Sequence, residues 1–390
     1  AEPLATETVW AVGLLYAGLL AGSLSNGLAA LFRGCEKHEI PAAVQTVTTI
    51  IRVTLGVLAL TGGIGIIGLA AASIATNVVT LTVLAVLARR MVWHTVSAPQ
   101  GSQRAMGGWR DWVLQRAMLS EGWPLMASVL LQALFPGVTV LLLQSLQGDA
   151  AVGWYDAARK WVDAPGIVPS FFTFAVFPVM SRQAAQDPAG LRRSYSLSVK
   201  LLTMLTVPLA VVTSLLARPL VSLLSGAQFL PGGAEILRLL IWSIVFGWIN
   251  SLTNYVLIAL HRQRFVLLAS AARVGFTILA NLALVRSYGY LASAGIFIAG
   301  ELLLAILFVS DLRRQIGGVG LGRTLARPVG AGLAMLAVVV ALSGVNAVLA
   351  LCAGLAVYVG TLIALRALSP DEWEMLAPLL PARLRKLAPG

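Results

Sequence analysis

The chain has 390 residues, of which 58% are hydrophobic and only 11% are charged, and its mean hydropathy is +0.86. Because soluble domains carry about 25% charged residues, this composition excludes an ordinary soluble protein and predicts a membrane protein. The net charge of +12 does not indicate nucleic-acid binding, since the basic residues are scattered between apolar runs rather than clustered on one face.

Apolar runs that can cross a bilayer, which takes about 20 residues each, recur along nearly the whole chain. They predict an all-α polytopic membrane protein with about eleven transmembrane helices. In chain order the predicted spans, numbered one to eleven, are 8 to 32, 41 to 60, 64 to 88, 122 to 146, 151 to 180, 197 to 217, 232 to 259, 264 to 286, 289 to 311, 325 to 343 and 345 to 366.

The basic residues predict the orientation of these spans. Alternate loops and the C-terminal tail together hold 21 of the 28 Lys and Arg residues, whereas the intervening loops hold only Arg218 and Arg286. Cytoplasmic loops collect Lys and Arg, so we expect residue 1 to be external and the C-terminus to be cytoplasmic. A cytoplasmic N-terminus is the commoner arrangement, so we also expect an odd number of further spans upstream.

Spans two and three resemble spans eight and nine. Each pair has an arginine within its first helix (Arg52 or Arg273), then a glycine at the external turn (Gly65 or Gly289), and an Arg-Arg pair at its cytoplasmic end. This pattern predicts two duplicated lobes, as in transporters whose halves rock around a midplane site.

If spans four to nine form one six-helix lobe, three helices precede residue 1 and the full protein has fourteen. The predicted domains are then the second half of an N-terminal lobe (1–118, ending in an interfacial segment near 106–116), a C-terminal lobe (119–315), and two extra helices with an amphipathic cytoplasmic tail (316–390).

Charged side chains lie within the predicted spans, where they are costly and by default mark a pathway or a site. In span five, Asp156 and Lys160 are four residues apart, as are Arg159 and Asp163, so all four share one helix face. Two explanations stay open. The pairs either neutralise each other and stabilise a lobe, or form a wet cavity wall that contacts an anionic head group or a coupling cation.

The same alternatives apply to Arg52 and Arg273. Each arginine is either satisfied within its lobe, with Glu301 as the candidate partner of Arg273, or contributes to a cationic cavity that binds phosphate oxygens. Four deep cations face three deep carboxylates, and this excess favours an anionic ligand. Asn250 and Asn254 could bind a sugar or hold helices together.

No catalytic constellation is visible in the sequence. The histidines are isolated, no nucleophile motif or P-loop is present, and Cys35 and Cys352 are far apart without metal-ligand spacing. We therefore predict neither an enzyme nor a bound metal or cofactor.

The stretch from Gly153 to Arg182, which begins GWYDAARKW and ends FPVMSR, resembles the central helix of the polysaccharide flippases. That family belongs to the multidrug, oligosaccharidyl-lipid and polysaccharide exporter superfamily. Weaker similarities are LFRG from Leu31, PLM from Pro124 and GAQF from Gly226, and the resemblance covers about residues 10 to 315.

The resemblance implies a two-lobe, MATE-like fold. It also implies a transporter that flips polyprenyl-pyrophosphate-linked oligosaccharide across the bacterial inner membrane by alternating access, for surface polysaccharide such as O-antigen. Polysaccharide polymerases and glycosyltransferases would be its partners, besides membrane lipids. In such relatives the cavity between the lobes is cationic and lined partly by the helices that correspond to spans four and five.

The candidate site residues fall into two groups. The substrate or cavity candidates are Arg52, Arg159, Lys160, Arg273, Asn250 and Asn254. The candidates for a coupling ion, Na⁺ or H⁺, are Asp156, Asp163 and Glu301. One alternative is a cation-coupled multidrug or small-molecule antiporter of the same superfamily, which the positive excess disfavours. Another is a membrane polysaccharide polymerase or scaffold, which the short external loops disfavour.

Overall fold

The computed structural model describes residues 6–35, 37, 39–63, 65–96, 112–342, 344, 346–367 and 372. Within these ranges the chain is almost wholly helical and contains no strand, which confirms the predicted all-α fold. The helices are α1 (Thr6–Gly34), α2 (Glu39–Thr61), α3 (Gly65–Val96), α4 (Trp112–Gln147), α5 (Asp149–Asp163), α6 (Ile167–Gln186), α7 (Pro188–Leu215), α8 (Ala217–Ser225), α9 (Gly232–Leu240), α10 (Ser243–Ala259), α11 (Gln263–Tyr288), α12 (Tyr290–Ile316), α13 (Leu321–Leu342) and α14 (Ala347–Ala364).

Every predicted span coincides with a helix or with two consecutive helices. In the described part of the chain, nine helical segments are long and apolar enough to cross a membrane, or ten if α9 and α10, which meet at a bend of 45°, form one crossing. The span that is not counted is α1, whose described apolar part, Gly18–Phe32, is shorter than a crossing requires. The predicted number of about eleven is therefore close to the observed one.

Span five consists of two helices, α5 and α6, joined by a single 3₁₀ turn at Ala164–Gly166. Pro165 stands in this turn and Pro169 follows in the first turn of α6. Since proline has no N–H group to donate to the preceding turn, two prolines so close together interrupt the α-helical ladder. The turn separates a charged helix, α5, from an apolar one, α6.

The chain divides into two compact units, Ala1–Arg110 and Asp111–Gly390, called here the first and second unit. The domain borders expected at 118 and 315 stay predictions. The expected amphipathic tail and most of the expected interfacial segment at 106–116 lie outside the described residues, apart from 112–116 at the start of α4.

The second unit is built around α7. Its Leu191, Tyr195 and Leu202 are fully buried in the main hydrophobic core. The α13–α14 pair packs against the same helix, where a separate apolar cluster forms and Tyr358 donates a hydrogen bond to the Met204 carbonyl (2.9 Å). The helices α13 and α14 are therefore packed parts of this unit.

Candidate functional site

Helix α5 has one buried face and one charged face. Tyr155, Ala158 and Val162 point into the core of the second unit. On the other face the two expected ion pairs are formed: Arg159 Nε lies 2.9 Å from Asp163 Oδ2, and Lys160 Nζ lies 3.3 Å from Asp156 Oδ2. The side chains of Asp156 and Asp163 are each 59% exposed and that of Lys160 is 53% exposed.

The depth of this charged face follows from its contact with α12. The Arg159 guanidinium carbon lies 5.7 Å from the centre of the Phe297 ring. Along α12, Phe297 lies about 24 Å from Arg313, which is at the basic end of the helix. That distance is within an apolar bilayer core of about 30 Å. Charges that are exposed at such a depth are stable only where water reaches them.

A second cluster is buried where α10, α11 and α12 meet. Arg273 Nη1 lies 2.8 Å from Glu301 Oε1, and the two residues are only 5% and 8% exposed. Asn250 Nδ2 donates to Glu301 Oε2 (2.7 Å) and to the Glu301 carbonyl oxygen (2.9 Å). Each charge therefore has a close partner, and Asn250 connects α10 to α12.

Two phenylalanine rings link this buried cluster to the charged face of α5. The Arg273 guanidinium carbon lies 3.9 Å from the centre of the Phe135 ring, which is a cation–π contact. The Phe135 ring centre lies 4.7 Å from the Phe297 ring centre, and the Phe297 ring in turn contacts the Arg159 guanidinium. Gly300 permits this packing, because a Cβ there would lie 3.3 Å from the Phe135 ring.

Several polar atoms of the second unit have no hydrogen-bond partner among the described residues. They include Arg273 Nε, Asn250 Oδ1, Asn254 Oδ1 and Ser270 Oγ. Asn254 and Ser270 each lie about one helical turn from Asn250 and Arg273, respectively. Asn254 therefore follows Asn250 on one side of α10, and both buried amide oxygens lack a hydrogen-bond partner among the described residues.

Arg52 lies in the first unit and differs from the deep arginines of the second. Its Nη2 donates to Asn77 Oδ1 (2.9 Å), and Asn77 Nδ2 donates to the Gly18 carbonyl (3.2 Å). The side chain is exposed, and no carboxylate of the described residues forms an ion pair with it. The excess of positive charge counted in the sequence therefore resides in Arg52 alone.

The structure thus sorts the candidate residues into three groups. Asp156, Arg159, Lys160 and Asp163 share the face of α5, whereas Arg273, Glu301, Asn250 and Asn254 belong to the buried cluster, and Arg52 stands in the first unit. Phe135 and Phe297, which lie between the first two groups, were not predicted as site residues, because an apolar ring within an apolar span carries no distinguishing signal in the sequence. Asn77 was also missed, although a polar residue within span three is such a signal. No group of three metal-ligating side chains occurs in the described residues.

Two family models match the sequence. The model described as "Polysaccharide biosynthesis protein" matches residues 8–184, and the model described as MatE matches residues 124–283. Both matches include α5, and together they include most of the described helices. No curated protein sequence matches the chain.

Three solved structures with a similar fold are distant from this chain in sequence. The lipid II flippase MurJ in an inward closed conformation is 13% identical with a TM-score of 0.64, and the match covers 88% of this chain and 71% of that one. A point mutant of the Vibrio cholerae MATE transporter VcmN is 22% identical (TM-score 0.60; 80% and 72% covered). A MATE transporter in complex with MaL6 is 17% identical (TM-score 0.64; 82% and 72% covered). The MATE-like fold expected from the sequence is therefore confirmed.

Proposed function

We propose that the chain is a multi-pass membrane transporter of the multidrug, oligosaccharidyl-lipid and polysaccharide exporter superfamily and that it flips lipid-linked oligosaccharides. Its substrate is a polyprenyl-pyrophosphate-linked oligosaccharide used for surface polysaccharide, which moves across the bacterial cytoplasmic membrane by alternating access. Residue 1 is external and the C-terminus is cytoplasmic in this proposal.

The observation that carries the proposal is the charged face of α5. Three of its four charged side chains are more than half exposed at a depth where lipid cannot solvate them. Pairs that served stability alone would be buried against a neighbouring helix, as Arg273 and Glu301 are. The exposure of the α5 pairs favours a face that lines a water-filled transport cavity.

The choice of an anionic substrate is supported by the cations and by the family match. Arg52 has a neutral partner only, so its guanidinium is free to bind phosphate oxygens. On α5, Lys160 is half exposed and its pair with Asp156 is long, at 3.3 Å. Both cations lie within residues 8–184, the range matched by the polysaccharide biosynthesis model. We propose that Lys160 binds the pyrophosphate and that Asn254 bonds a sugar, while Arg52 is by itself an anion-binding group of the first unit.

The three coupling-ion candidates differ in how they are occupied. Glu301 uses one oxygen for Arg273 and the other for Asn250, so a cation there would have to displace the arginine. Asp156 and Asp163 are exposed and each offers an oxygen outside its ion pair. We therefore place the coupling of Na⁺ or H⁺ at these two aspartates.

The proposal is tested by restoring surface polysaccharide in a flippase-deficient bacterium with the full-length gene, while lipid-linked intermediates are followed. Wild type restores the polymer and lowers the trapped intermediates. Lys160→Gln lowers export by about tenfold, since one charge-assisted bond contributes about 1.5–3 kcal/mol. The matched control is Arg286→Gln, which removes an equally exposed cation at an end of α11 and leaves export unchanged. Failure of wild type despite normal membrane expression would refute the proposal.

A cation-coupled antiporter is the second candidate function. It is favoured by the MatE match over residues 124–283, which includes Asp156 and Asp163, since an antiporter binds organic cations through carboxylates. This function predicts efflux of a fluorescent organic cation from cells that carry the full-length gene. It also predicts that Asp163→Asn abolishes efflux, whereas Lys160→Gln preserves it.

A further inference from the structure

A hollow of about 530 Å³ lies in the second unit where α4 passes the start of α11. Its residues combine basic, polar and apolar side chains, and the basic ones come from the loop that joins α10 to α11 and from the first turn of α11. They are Ser120, Pro124, His261, Arg262, Gln263, Arg264, Phe265 and Leu268. By the predicted orientation this hollow is at the cytoplasmic end of the bundle.

The two arginines of the hollow have different roles. Arg262 is fixed by Asp311, with Nε and Nη2 at 3.0 and 2.7 Å from the two carboxylate oxygens. These hydrogen bonds, together with the charge of Asp311, raise the pKa of Arg262 above its ordinary value. Arg264 is exposed and forms no ion pair with any described residue. The free cation of the hollow is therefore Arg264, in the first turn of α11, just after the loop residue Arg262 that Asp311 fixes.

The backbone adds to this positive environment. No side chain caps the first turn of α11, whose N-terminus carries a partial positive charge. His261 is held in the left-handed region, at φ +58°, which ends α10 and turns the chain into α11 within two residues. The charged end of the hollow thus consists of Arg264 and the start of α11, with His261 beside them.

The other end of the hollow is apolar and continues along α4. Leu268 on α11 is 67% exposed. Ser120 also borders a shallower hollow formed with Arg116, Leu119 and Trp123, and Leu119 and Trp123 are 69% and 52% exposed. A tryptophan beside an arginine is typical of the level at which lipid head groups lie. The two hollows share Ser120 and are together called the groove; it has cations at Arg264 and Arg116 and an apolar wall at Leu268, Leu119 and Trp123.

We propose that this groove binds a lipid that carries an anionic phosphate head group, with the phosphate at Arg264 and the start of α11 and an acyl or prenyl chain along Leu268, Leu119 and Trp123. A soluble anion would use only the charged end, and a neutral lipid only the wall. The proposal requires a membrane but no particular transported substrate, so it is independent of the proposed function.

Native mass spectrometry of the purified full-length protein tests this directly. The probes are phosphatidylglycerol and, for comparison, zwitterionic phosphatidylcholine. The wild-type protein retains more phosphatidylglycerol than phosphatidylcholine. Arg264→Gln weakens phosphatidylglycerol binding by about fivefold, because one arginine near an anionic surface contributes about 1 kcal/mol. Arg286→Gln is the matched control, since it removes an exposed arginine at the opposite end of the same helix and leaves the affinity unchanged.

Two competitors identify the source of the phosphate. Displacement of phosphatidylglycerol by polyprenyl diphosphate, again only when Arg264 is present, shows that the transported class of lipid enters the same groove, whereas no displacement shows a resident phospholipid. Either result supports a lipid phosphate site. Three results would overturn it: equal losses in the two arginine variants, equal binding of phosphatidylcholine, or displacement by inorganic phosphate as effective as that by the lipids.

Discussion

The charged residues of the second unit differ most in burial. The side chains of Arg273 and Glu301 are 6% and 10% exposed, whereas Asp156 and Lys160 are 59% and 53% exposed. Removal of one partner from a buried ion pair leaves an uncompensated charge, which costs about 3–5 kcal/mol, whereas an exposed pair contributes about 0–1 kcal/mol. Loss of one partner therefore destabilises the unit at the first pair but has little effect at the second, whose charges are available for ligands.

We predict that Glu301→Gln lowers the free energy of unfolding by about 3–5 kcal/mol, because Arg273 is left buried without a counter-charge. Thermal unfolding of the detergent-solubilised protein measures this change. Asp156→Asn is the control, and it lowers the stability by about 1 kcal/mol or less. Addition of Arg273→Met to the Glu301→Gln protein restores most of the loss. Equal shifts for Glu301→Gln and Asp156→Asn would contradict the distinction between the two pairs.

At the same scale, local spacing predicted only part of the site. The i, i+4 pairs of α5 could be predicted, because helix geometry fixes neighbours on one face. The pairing of Arg273 with Glu301 was an open alternative, since it depends on how α11 packs against α12. The contact between Phe135 and Phe297 could not be predicted, because it joins two helices that are far apart in sequence.

At the scale of helices, the contact between α7 and α13 depends on a missing side chain. Gly332 on α13 faces Val207 on α7, and a Cβ at this glycine would overlap the valine side chain. Val207 cannot easily turn away, since a β-branched residue in a helix has one strongly preferred rotamer. The glycine therefore sets how closely the α13–α14 pair approaches the core.

Two glycines on α13 give opposite predictions for the same substitution. Gly332→Ala destabilises the protein by about 1–3 kcal/mol, the usual cost of overpacking. Gly330→Ala meets no atom within 4 Å, so it stabilises the helix by about 0.5–1 kcal/mol through the better helix propensity of alanine. Melting temperatures of the two variants should move in opposite directions. A gain in stability for Gly332→Ala would show that this contact is loose.

The helices themselves were well predicted by hydropathy, because each lipid-facing helix needs about 20 apolar residues. The bend between α9 and α10 and the separate helix α8 were not expected. Both lie within or next to predicted apolar spans, where composition does not distinguish a straight helix from a broken one. The break between α5 and α6 lies at Pro165, a residue type that interrupts helices, in a 3₁₀ turn that composition does not reveal.

For the whole molecule, the placement of basic residues predicts which ends are cytoplasmic, and the exposed thiol of Cys35 allows a test. In a protein with Cys352→Ala, a membrane-impermeant maleimide should label Cys35 in inverted vesicles but not in intact spheroplasts. Arg286→Cys, introduced after Cys35→Ala, should label in spheroplasts instead, because Arg286 lies in the last turn of α11, at an end of the helix that is predicted to be external. The reverse pattern for both would invert the topology.

Transport of a lipid-linked oligosaccharide is the central claim for the whole molecule, and a flipping assay in proteoliposomes tests it most directly. Full-length protein is reconstituted with a labelled polyprenyl-diphosphate oligosaccharide, and a sugar-binding probe outside the vesicles reports how much label has changed leaflet. We predict that label becomes accessible faster than in empty liposomes or in liposomes that contain the Lys160→Gln protein. Transfer no faster than in empty liposomes, together with uptake of an organic cation by the same vesicles, would contradict the flippase and favour the antiporter.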